Sequence, residues 1–376
     1  MSKWPRTKYM RQGSDGQWTT THTAIPYLEP LGLHNPSVYC YRRALLQALA
    51  HLPILYSEMN DSHEECEMPD RHCVACEFQL FLVAYWNERR KSQFPVGASG
   101  PVLDDLDAAV NACPADKLFY EFANDRVQGD PVEYFQYLME AVFGQGDDVA
   151  AAVERVFKFM HRITRTCKAC GKQEEEPNPG DVCLVLPMMK QPKGQTKSLV
   201  EYLNDFHSDT VGYKCDGEEC TQKRLLDEQL GNDVGDGNEH DRVLRITQAP
   251  SSLVINLKRT QWNYATGRNF KVRDDVEFEE ELDLTQFTED GETLKYRLYG
   301  VVSHIGKNTA RGHWIASVRH RNGTNFRTIS DEGIEWNDEE GFKALRDPSF
   351  DGTAADPTML LYLKVEEEEE EEEAET

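Results

Sequence analysis

The sequence lacks the features that define membrane proteins, secreted proteins and nucleic-acid-binding proteins. It contains no run of about 18 consecutive apolar residues, so we expect no membrane span. Residues 1–13 contain no apolar segment, which argues against a secretory signal. Basic residues are scarce, with 41 Lys and Arg against 66 Asp and Glu, for a net charge of −25. We therefore expect no nucleic-acid partner and instead a basic one.

Ten cysteines without a secretory signal imply a reducing compartment inside the cell, in the cytoplasm or the nucleus. There, paired cysteines more often hold metal than form disulfides. Two pairs, Cys167-x-x-Cys170 and Cys215-x4-Cys220, lie in a polar region. Because zinc takes four tetrahedral ligands, we predict one structural zinc at these thiols, with unliganded thiols as the alternative.

A second set of metal-ligand residue types precedes the first along the chain. It consists of His63-x-x-Cys66 and Cys73-x-x-Cys76, whose spacing permits a second zinc. Free cysteines are commonly packed as small apolar side chains. Packed thiols therefore remain the other interpretation of this set.

The hydrophobic pattern changes from helical to strand-like along the chain. Residues 1–29 are predicted to form a flexible lead-in, and the acidic tail 366–376 to be disordered. Helices are predicted after Cys40, over 77–86 and over 131–143. Strands are predicted over 253–257, 296–302, 314–318 and 359–363, with Asn322-Gly323 as a hairpin turn. The polar stretches 174–180 and 231–240 are predicted to be loops, and the fold class is α+β.

Cys40 is a candidate nucleophile because it stands where a loop, Leu33–Tyr39, gives way to a predicted helix. A thiol attacks an amide only when it is reachable and substantially ionised. The positive end of a helix favours the thiolate and is expected to lower its pKa. A buried small side chain at a helix start is the alternative.

His313 is the candidate base among eleven histidines. Cysteine proteases pair the thiol with a histidine that the fold brings close. His313 follows Gly312 and the loop Ile305–Arg311, at the start of a predicted strand. A histidine at a strand edge is otherwise an ordinary surface or core residue.

Asp130 and Glu133 form a candidate recognition pair for a basic group. Their separation places both carboxylates on one face if both lie in a helix. Two carboxylates suit a guanidinium group. The alternative is a pair of acids at a helix N-terminus, where the dipole favours them.

Several stretches, in this order, resemble the sequence boxes of ubiquitin-specific proteases. The resemblance covers residues 30–365 and implies a papain-like cysteine protease fold. That fold has a helical thumb (about 30–165), zinc-braced β fingers (about 166–245) and a β-rich palm (about 246–365). The stretches that carry it are Gly32-Leu33-His34-Asn35, Cys40-Tyr41, Leu46-Gln47-Ala48-Leu49, Gln128-x-Asp130-x-x-Glu133-Tyr134-Phe135, the cysteine pairs, Tyr296-x-Leu298-x-Gly300-Val301-Val302-x-His304-x-Gly306 and Gly312-His313-Trp314.

The resemblance also implies roles for individual residues. Cys40 would be the nucleophile, His313 rather than His304 the base, and Asn35 an oxyanion donor. Ser330 falls at the position that orients the base, where an Asp or Asn is usual, and Asp331 at the following acid. The residues implied to meet the substrate tail are Gln128, Asp130, Glu133, Gly312 and Trp314.

The reaction implied by the resemblance is hydrolysis of the bond after the terminal glycine of ubiquitin. The chain departs from the family pattern at Ser37-Val38-Tyr39, where Gly-Asn-Thr is usual, and at Trp314, where Tyr is usual. A ubiquitin-binding scaffold that has lost activity, a protease for a ubiquitin-like modifier and a zinc-dependent interaction module therefore remain alternatives. The sequence leaves the oligomeric state open.

Overall fold

The computed structural model describes residues 29–62, 73–87, 90–98, 100–112, 128–143, 147–178, 180–232, 237–308, 311–320, 325–337 and 339–365, with two short strands nearer the N-terminus. Those strands, β1 (Arg11–Gln12) and β2 (Trp18–Thr19), pair antiparallel within the predicted lead-in. The predicted acidic tail lies outside the described residues. Within them, no helix is both long enough and apolar enough to cross a membrane.

The first part of the described chain is helical, as predicted. Apolar residues at helical spacing give α1, and Pro53 both ends that run and begins the next helix, a position that suits its missing N–H. The predicted second helix is confirmed, although it begins a few residues earlier than expected. The helices are α1 (Cys40–Ala50), α2 (Pro53–Ser62), α3 (Val74–Tyr85), α4 (Pro101–Ala112), α5 (Pro131–Phe143) and α6 (Asp147–Phe157).

A four-stranded antiparallel sheet follows, in the order β4 (Gln173–Pro177), β3 (Met160–Cys167), β8 (Asn238–Gln248) and β7 (Ser208–Tyr213). The prediction of loops over 174–180 and 231–240 is wrong in part, because both stretches contribute to this sheet. Strand β4 is polar but lies at the sheet edge, where Arg165 pairs with Glu176 over 2.6 Å across to β3. The elements are β3 (Met160–Cys167), β4 (Gln173–Pro177), β5 (Leu184–Pro187), β6 (Lys197–Ser198), α7 (Leu199–His207), β7 (Ser208–Tyr213), α8 (Glu218–Gln229) and β8 (Asn238–Gln248).

An eight-stranded sheet holds, in this order, β17 (Gly333–Trp336), β16 (Phe326–Ser330), β15 (His313–Arg319), β14 (Lys295–Ile305), β20 (Asp356–Lys364), β9 (Ser252–Lys258) and β5 (Leu184–Pro187). Its eighth strand, β13 (Glu281–Asp283), also pairs with β14. All four strands predicted there are present, and β15 and β16 pair antiparallel, although Asn322-Gly323 lies outside the described residues. The remaining elements are β10 (Thr260–Asn263), β11 (Arg268–Lys271), β12 (Val276–Glu277), α9 (Lys343–Arg346), β18 (Ser349–Phe350) and β19 (Thr353–Ala354).

Both faces of the large sheet are buried, so its central strands are apolar almost throughout. On β20, Met359 and Leu361 face the core shared with the helices, while Leu360 and Tyr362 face a second core. Each such side chain contributes about 1.5–3 kcal/mol on burial. Helix α1 packs against β14, β15 and β16, which places Cys40 beside the start of β15.

A buried ionic cluster anchors α1 to α4. Arg42 and Arg43, neighbours on α1, both reach Asp107 on α4, over 3.0 and 2.6 Å. Arg42 also donates to the Asn111 side chain, and Arg43 donates to the carbonyl of His34 over 2.8 Å. One carboxylate therefore pairs with two buried guanidinium groups, and its loss would remove both ion pairs from the core.

We expect Asp107→Ala to lower the free energy of unfolding by about 3–5 kcal/mol, the usual cost of breaking a buried ion pair. Urea denaturation of the purified chain measures this loss. The matched control is Asp105→Ala, because Asp105 lies on the same helix with an exposed side chain. A loss from Asp107→Ala no larger than that from the control would contradict the structural role of this cluster.

Candidate active site

Cys40 is the first residue of α1, as predicted, and only 3% of its surface is exposed. The side-chain amide of Gln128 donates to its sulfur over 3.0 Å, and the backbone N–H of Trp314 also bonds to it. The same Gln128 amide donates to the carbonyl of Gly312 over 2.9 Å. The residues on both sides of His313 are therefore linked to the thiol.

Burial raises the pKa of the Cys40 thiol above its ordinary value. The bonds from Trp314 and Gln128 act to lower this pKa but are outweighed, and the Asp331 carboxylate raises it further. The start of α1 acts in the expected direction through the backbone N–H of Tyr41, but burial outweighs it, and the pKa of the thiol is raised overall. Desolvation of the thiolate exceeds what the nearby donors supply, so the thiol needs a base to ionise at neutral pH.

His313 opens β15 opposite Ile305 of β14. Its Nε2 lies 2.8 Å from Ser330 Oγ and 3.8 Å from Asp331 Oδ2. Ser330 ends β16, the strand next to β15, so the sheet itself brings the hydroxyl to the imidazole. When the hydroxyl accepts the Nε2 proton, Nδ1 keeps its lone pair and can act as a base.

Asp331 lies directly after Ser330 in a tight turn between β16 and β17. Its φ of +48° is left-handed, a conformation that aspartate tolerates better than most residues. Its backbone carbonyl accepts from Leu33 over 2.8 Å, and its Oδ2 accepts from the Asn35 amide over 3.1 Å. Burial raises the pKa of this carboxyl, against the opposing effects of Asn35 and His313. A turn and a site residue thus coincide at one position.

Asn35 holds the loop that precedes the nucleophile. Its Oδ1 accepts the backbone N–H groups of Ser37 and Tyr39, over 3.2 and 3.0 Å. Its Nδ2 donates one N–H to Asp331, so only the second N–H of the amide can reach another acceptor. The role of Asn35 as an oxyanion donor stays a prediction, and its loop-holding contacts are an additional finding.

His304 is unsuited to be the base. It is buried, and Lys271 Nζ lies 2.7 Å from its Nδ1. Burial and the Lys271 charge lower the pKa of His304 to about 4. Its ring fills the space beside Gly312, where an added Cβ would lie 2.2 Å from Nε2, so only glycine fits before His313.

The expected acid pair is only partly as predicted. Helix α5 begins at Pro131, so Asp130 precedes it, the condition for a shared helix face is not met, and the alternative of acids at a helix N-terminus is the one found. Asp130 Oδ1 instead accepts the Val132 N–H over 2.7 Å and satisfies a free donor at the helix start. Glu133 lies in the first turn with its side chain exposed. Recognition of the substrate by either residue stays a prediction.

The other three residues expected to meet the substrate line the thiol itself. Gln128 bonds to the sulfur, and Gly312 presents its carbonyl to Gln128. The Trp314 side chain is buried, with its ring 4.6 Å from that of His304, which leaves its backbone for the site. Direct binding of the substrate by these residues stays a prediction.

The four predicted metal ligands meet at the end of the four-stranded sheet. The sulfurs of Cys167, Cys170, Cys215 and Cys220 all lie within 4.8 Å of one another. The Cys167–Cys220 and Cys170–Cys215 separations are 3.8 and 3.5 Å, near the edge of a tetrahedron with a metal–sulfur bond of about 2.3 Å. This cluster can hold a metal ion.

Gly217 packs against the cysteine cluster, and Cys73 of the second predicted set caps a helix. An added Cβ at Gly217 would lie 2.8 Å from Cys170 Sγ, so glycine is required against the cluster. Of the second predicted set, His63 and Cys66 lie outside the described residues. Cys73 is the N-cap of α3, and its sulfur accepts the Cys76 N–H over 3.5 Å.

The sequence motifs did not reveal every residue that supports the site. Lys271 and Asp356, which form an ion pair, lie behind the loop that carries His313, in segments with no local signal for such a role. Arg43, which fixes His34, is likewise identified only by its three-dimensional contacts. A nucleophile, a base and its orienting hydroxyl together can carry out attack on a carbonyl group.

Residues 31–362 match the family model described as ubiquitin carboxyl-terminal hydrolase. Among curated proteins, the chain is 23% identical over 316 residues to ubiquitin carboxyl-terminal hydrolase 48 of Danio rerio, covering 81% of this chain and 27% of that protein. It is 22% identical over 322 residues to ubiquitin carboxyl-terminal hydrolase 42 of Homo sapiens, covering 82% and 21%. The chain thus spans about a quarter of the length of these relatives.

The fold is similar to that of solved structures of the SAGA DUB module Ubp8/Sgf11/Sus1/Sgf73. The TM-score is 0.68 both for the module bound to monoubiquitin and for that bound to ubiquitin aldehyde, at 20% identity, covering 92% of this chain and 72% of that chain. The mixed helices and sheets therefore form the α+β, papain-like fold that was predicted. With the family model matching most of its length, the chain belongs to the ubiquitin carboxyl-terminal hydrolase family.

Proposed function

We propose that this chain is a thiol hydrolase that cleaves the bond after the C-terminal glycine of ubiquitin. The observation that carries the proposal is the linked group at the thiol. Gln128 joins Cys40 to Gly312, and the next residue, His313, is held by Ser330 over 2.8 Å. Family membership supplies the bond to be cleaved.

The first half of the reaction forms a thioester. His313 removes the thiol proton of Cys40, and the sulfur attacks the carbonyl carbon of the terminal glycine. The oxyanion receives hydrogen bonds from donors around the sulfur, with Asn35 and the Trp314 backbone N–H as the candidates. The imidazolium then gives its proton to the leaving amine as the C–N bond breaks.

The second half restores the enzyme. His313 accepts a proton from water as the oxygen of that water attacks the thioester carbonyl. The C–S bond breaks, the sulfur regains a proton from His313, and the ubiquitin carboxyl group gives the second proton of the water to solvent and leaves as a carboxylate. Because burial raises the pKa of Cys40, each cycle depends on this histidine to generate the thiolate.

An exposed acid in the first turn of α5 suits an arginine-containing substrate tail. Glu133 is exposed, and the whole chain carries a net charge of −25. The related Ubp8 modules have been solved with monoubiquitin and ubiquitin aldehyde bound. Both facts support ubiquitin as the partner. The rival substrate, a ubiquitin-like modifier, would be distinguished by the same probe chemistry on that modifier.

We also infer that the metal held by the four-cysteine cluster is zinc. The donor set consists of four cysteine sulfurs, and their separations fit tetrahedral coordination. The zinc would join β3 to α8 and would act in folding.

Thiols that must remain reduced to bind metal support an intracellular location. The predicted domain limits, with thumb, fingers and palm at residues 30–165, 166–245 and 246–365, belong to this proposal.

We expect Cys40 to form a covalent adduct with ubiquitin that bears a C-terminal electrophile. Peptide mass spectrometry locates the adduct. Cys40→Ser should abolish the adduct because a serine hydroxyl does not ionise at neutral pH and is a weaker nucleophile than the thiol. Cys183→Ala, which alters another buried cysteine, is the matched control and should leave labelling unchanged. An adduct on a different cysteine, or none in folded wild-type protein, would refute the proposed function.

We expect the loss of the Asp331 side chain to lower turnover more than the loss of the Ser330 hydroxyl. Ser330→Ala removes one neutral hydrogen bond and should lower turnover by about 2–10-fold. Asp331→Ala removes a charged group that also binds Asn35 and should lower it by about 10–100-fold. Steady-state hydrolysis of a ubiquitin C-terminal amide measures both. Full turnover in both variants would show that neither residue orients His313.

A carboxylate at position 330 gives a directional test of the same contact. Ser330→Asp should raise the pKa of His313, because a carboxylate stabilises the imidazolium. Because the proposed mechanism starts from the neutral imidazole, the acidic limb of the pH–rate profile should then move to higher pH than in the wild type. An unchanged limb would mean that residue 330 does not contact the catalytic histidine.

Metal analysis of the purified chain should find about one zinc at the four-cysteine cluster. Cys170→Ser should lose the zinc and lower the melting temperature, because the metal contributes to folding. Cys183→Ala serves again as the control and should retain the metal. Fully active protein that contains no zinc would overturn the assignment.

A further inference from the structure

Lys271 is a buried lysine for which the reaction described above has no role. It ends β11, and only 3% of its side chain is exposed. Its Nζ lies 2.6 Å from Asp356 Oδ2 and 2.7 Å from His304 Nδ1. It also lies 3.3 and 3.1 Å from the carbonyl oxygens of His304 and Gly306. An ammonium group has three N–H donors, and all three have acceptors here.

The acceptors show what the ammonium group fixes. Three of the four belong to residues 304–306, where β14 ends and the chain turns towards His313. Asp356 supplies the counter-charge from the neighbouring strand β20. Burial lowers the pKa of Lys271, and Asp356 opposes this effect. The lysine therefore joins one buried carboxylate to the segment that precedes the catalytic histidine.

His304 transmits this constraint to the thiol. Its ring lies so close to Gly312 that a Cβ there would be 2.2 Å from Nε2, and it packs on the Trp314 ring at 4.6 Å. Gly312 and Trp314 flank His313, and both are linked to Cys40 through their backbones. A shift of the His304 ring would displace these residues and with them the catalytic pair.

Hydrogen bonds hold the base of the β10–β11 hairpin, and they fix the backbone position of Lys271. Arg259 is buried and donates to the carbonyl of Pro357 over 2.5 Å and to those of Val272 and Asp274 over 3.2 and 2.9 Å. Val272, directly after Lys271, returns a backbone bond to the Arg259 carbonyl over 2.7 Å. The side chain of Lys271 thus extends from a strand that is held in place to residues 304–306.

We propose that Lys271 is a positioning residue, which holds His304 and Gly306 so that His313 stays aligned with Cys40. The proposal rests on the proposed function only for the identity of the catalytic pair. Its geometry requires no ubiquitin, so it can be tested on the thiol itself. Catalytic groups displaced by about 1 Å commonly lose up to about 100-fold in rate.

The test measures alkylation of Cys40 by iodoacetamide at pH 7 in the folded chain, with peptide mass spectrometry to identify the labelled residue. His313→Ala sets the rate without the base. We expect Lys271→Met to lower the alkylation rate by about 10-fold, towards that background. In ubiquitin hydrolysis the same variant should lower kcat by a similar factor and change KM by less than about twofold. A KM effect without a kcat effect would overturn the proposal.

Two further variants separate positioning from stability. Lys271→Met alone removes the closer of the two cations that contact the Asp356 carboxylate among the described residues, so the charge of this carboxylate is less well compensated and the melting temperature should fall. The double variant Lys271→Met/Asp356→Asn removes that charge and should regain much of the stability, but not the alkylation rate. Recovery of the rate to within about twofold of wild type in the double variant would show that Lys271 acts only through stability.

The control is Arg273→Met, because Arg273 also contacts Asp356, over 3.5 Å, but is 55% exposed and bonds to neither His304 nor Gly306 in the described contacts. It should leave the alkylation rate within about twofold of wild type, as expected for an exposed ion pair. A wild-type chain that shows His313-dependent alkylation but no ubiquitin hydrolysis would refute the proposed substrate while leaving the role of Lys271 testable. Equal losses from Arg273→Met and Lys271→Met would refute that role.

Discussion

The site depends on the packing of α1 against the strands β14, β15 and β16. This contact brings a thiol from the helical half of the chain to a histidine from the sheet half. It is fixed on the helical side by Asp107, which holds two arginines that follow Cys40 within one turn. Both arginines are fully buried, so a rotation of the helix would break their ion pairs with Asp107. The position of the nucleophile is therefore a consequence of core electrostatics as much as of apolar packing.

Burial gives the thiol its partners and also lowers its reactivity. A solvent-exposed cysteine would ionise more readily but would not be held by Gln128 and Trp314. In the closed arrangement the pKa of the thiol is raised, so ionisation is coupled to proton transfer to His313. In the proposed reaction, the Trp314 backbone N–H that contacts the sulfur in the resting state is also a candidate donor to the developing oxyanion once the sulfur bonds to carbon.

Local patterns predicted the parts of the fold that depend on local rules. The helix at Cys40, four of the eight strands of the large sheet and the convergence of four cysteines follow from periodicity, composition and spacing. Strand β4 was missed because its polar sequence is stabilised by pairing with β3 and by Arg–Glu contacts across the sheet. The position of Asp130 follows the alternative of an acid at a helix N-terminus, because its side chain caps α5. Lys271 was missed because its acceptors come from β14 and β20, and only the fold brings them together.

The departures from the family pattern bear on whether activity has been retained. The loop Ser37–Tyr39 differs from the usual sequence, yet Asn35 accepts backbone N–H groups from both of its ends, so the substitution leaves the loop held. Ser330 replaces a carboxylate or amide, yet its hydroxyl lies 2.8 Å from His313. The adjacent Asp331 keeps a negative charge 3.8 Å from the same nitrogen. Asp331 thus combines a contact that holds the Asn35 loop with a charge beside the histidine. This arrangement is consistent with the proposed hydrolase.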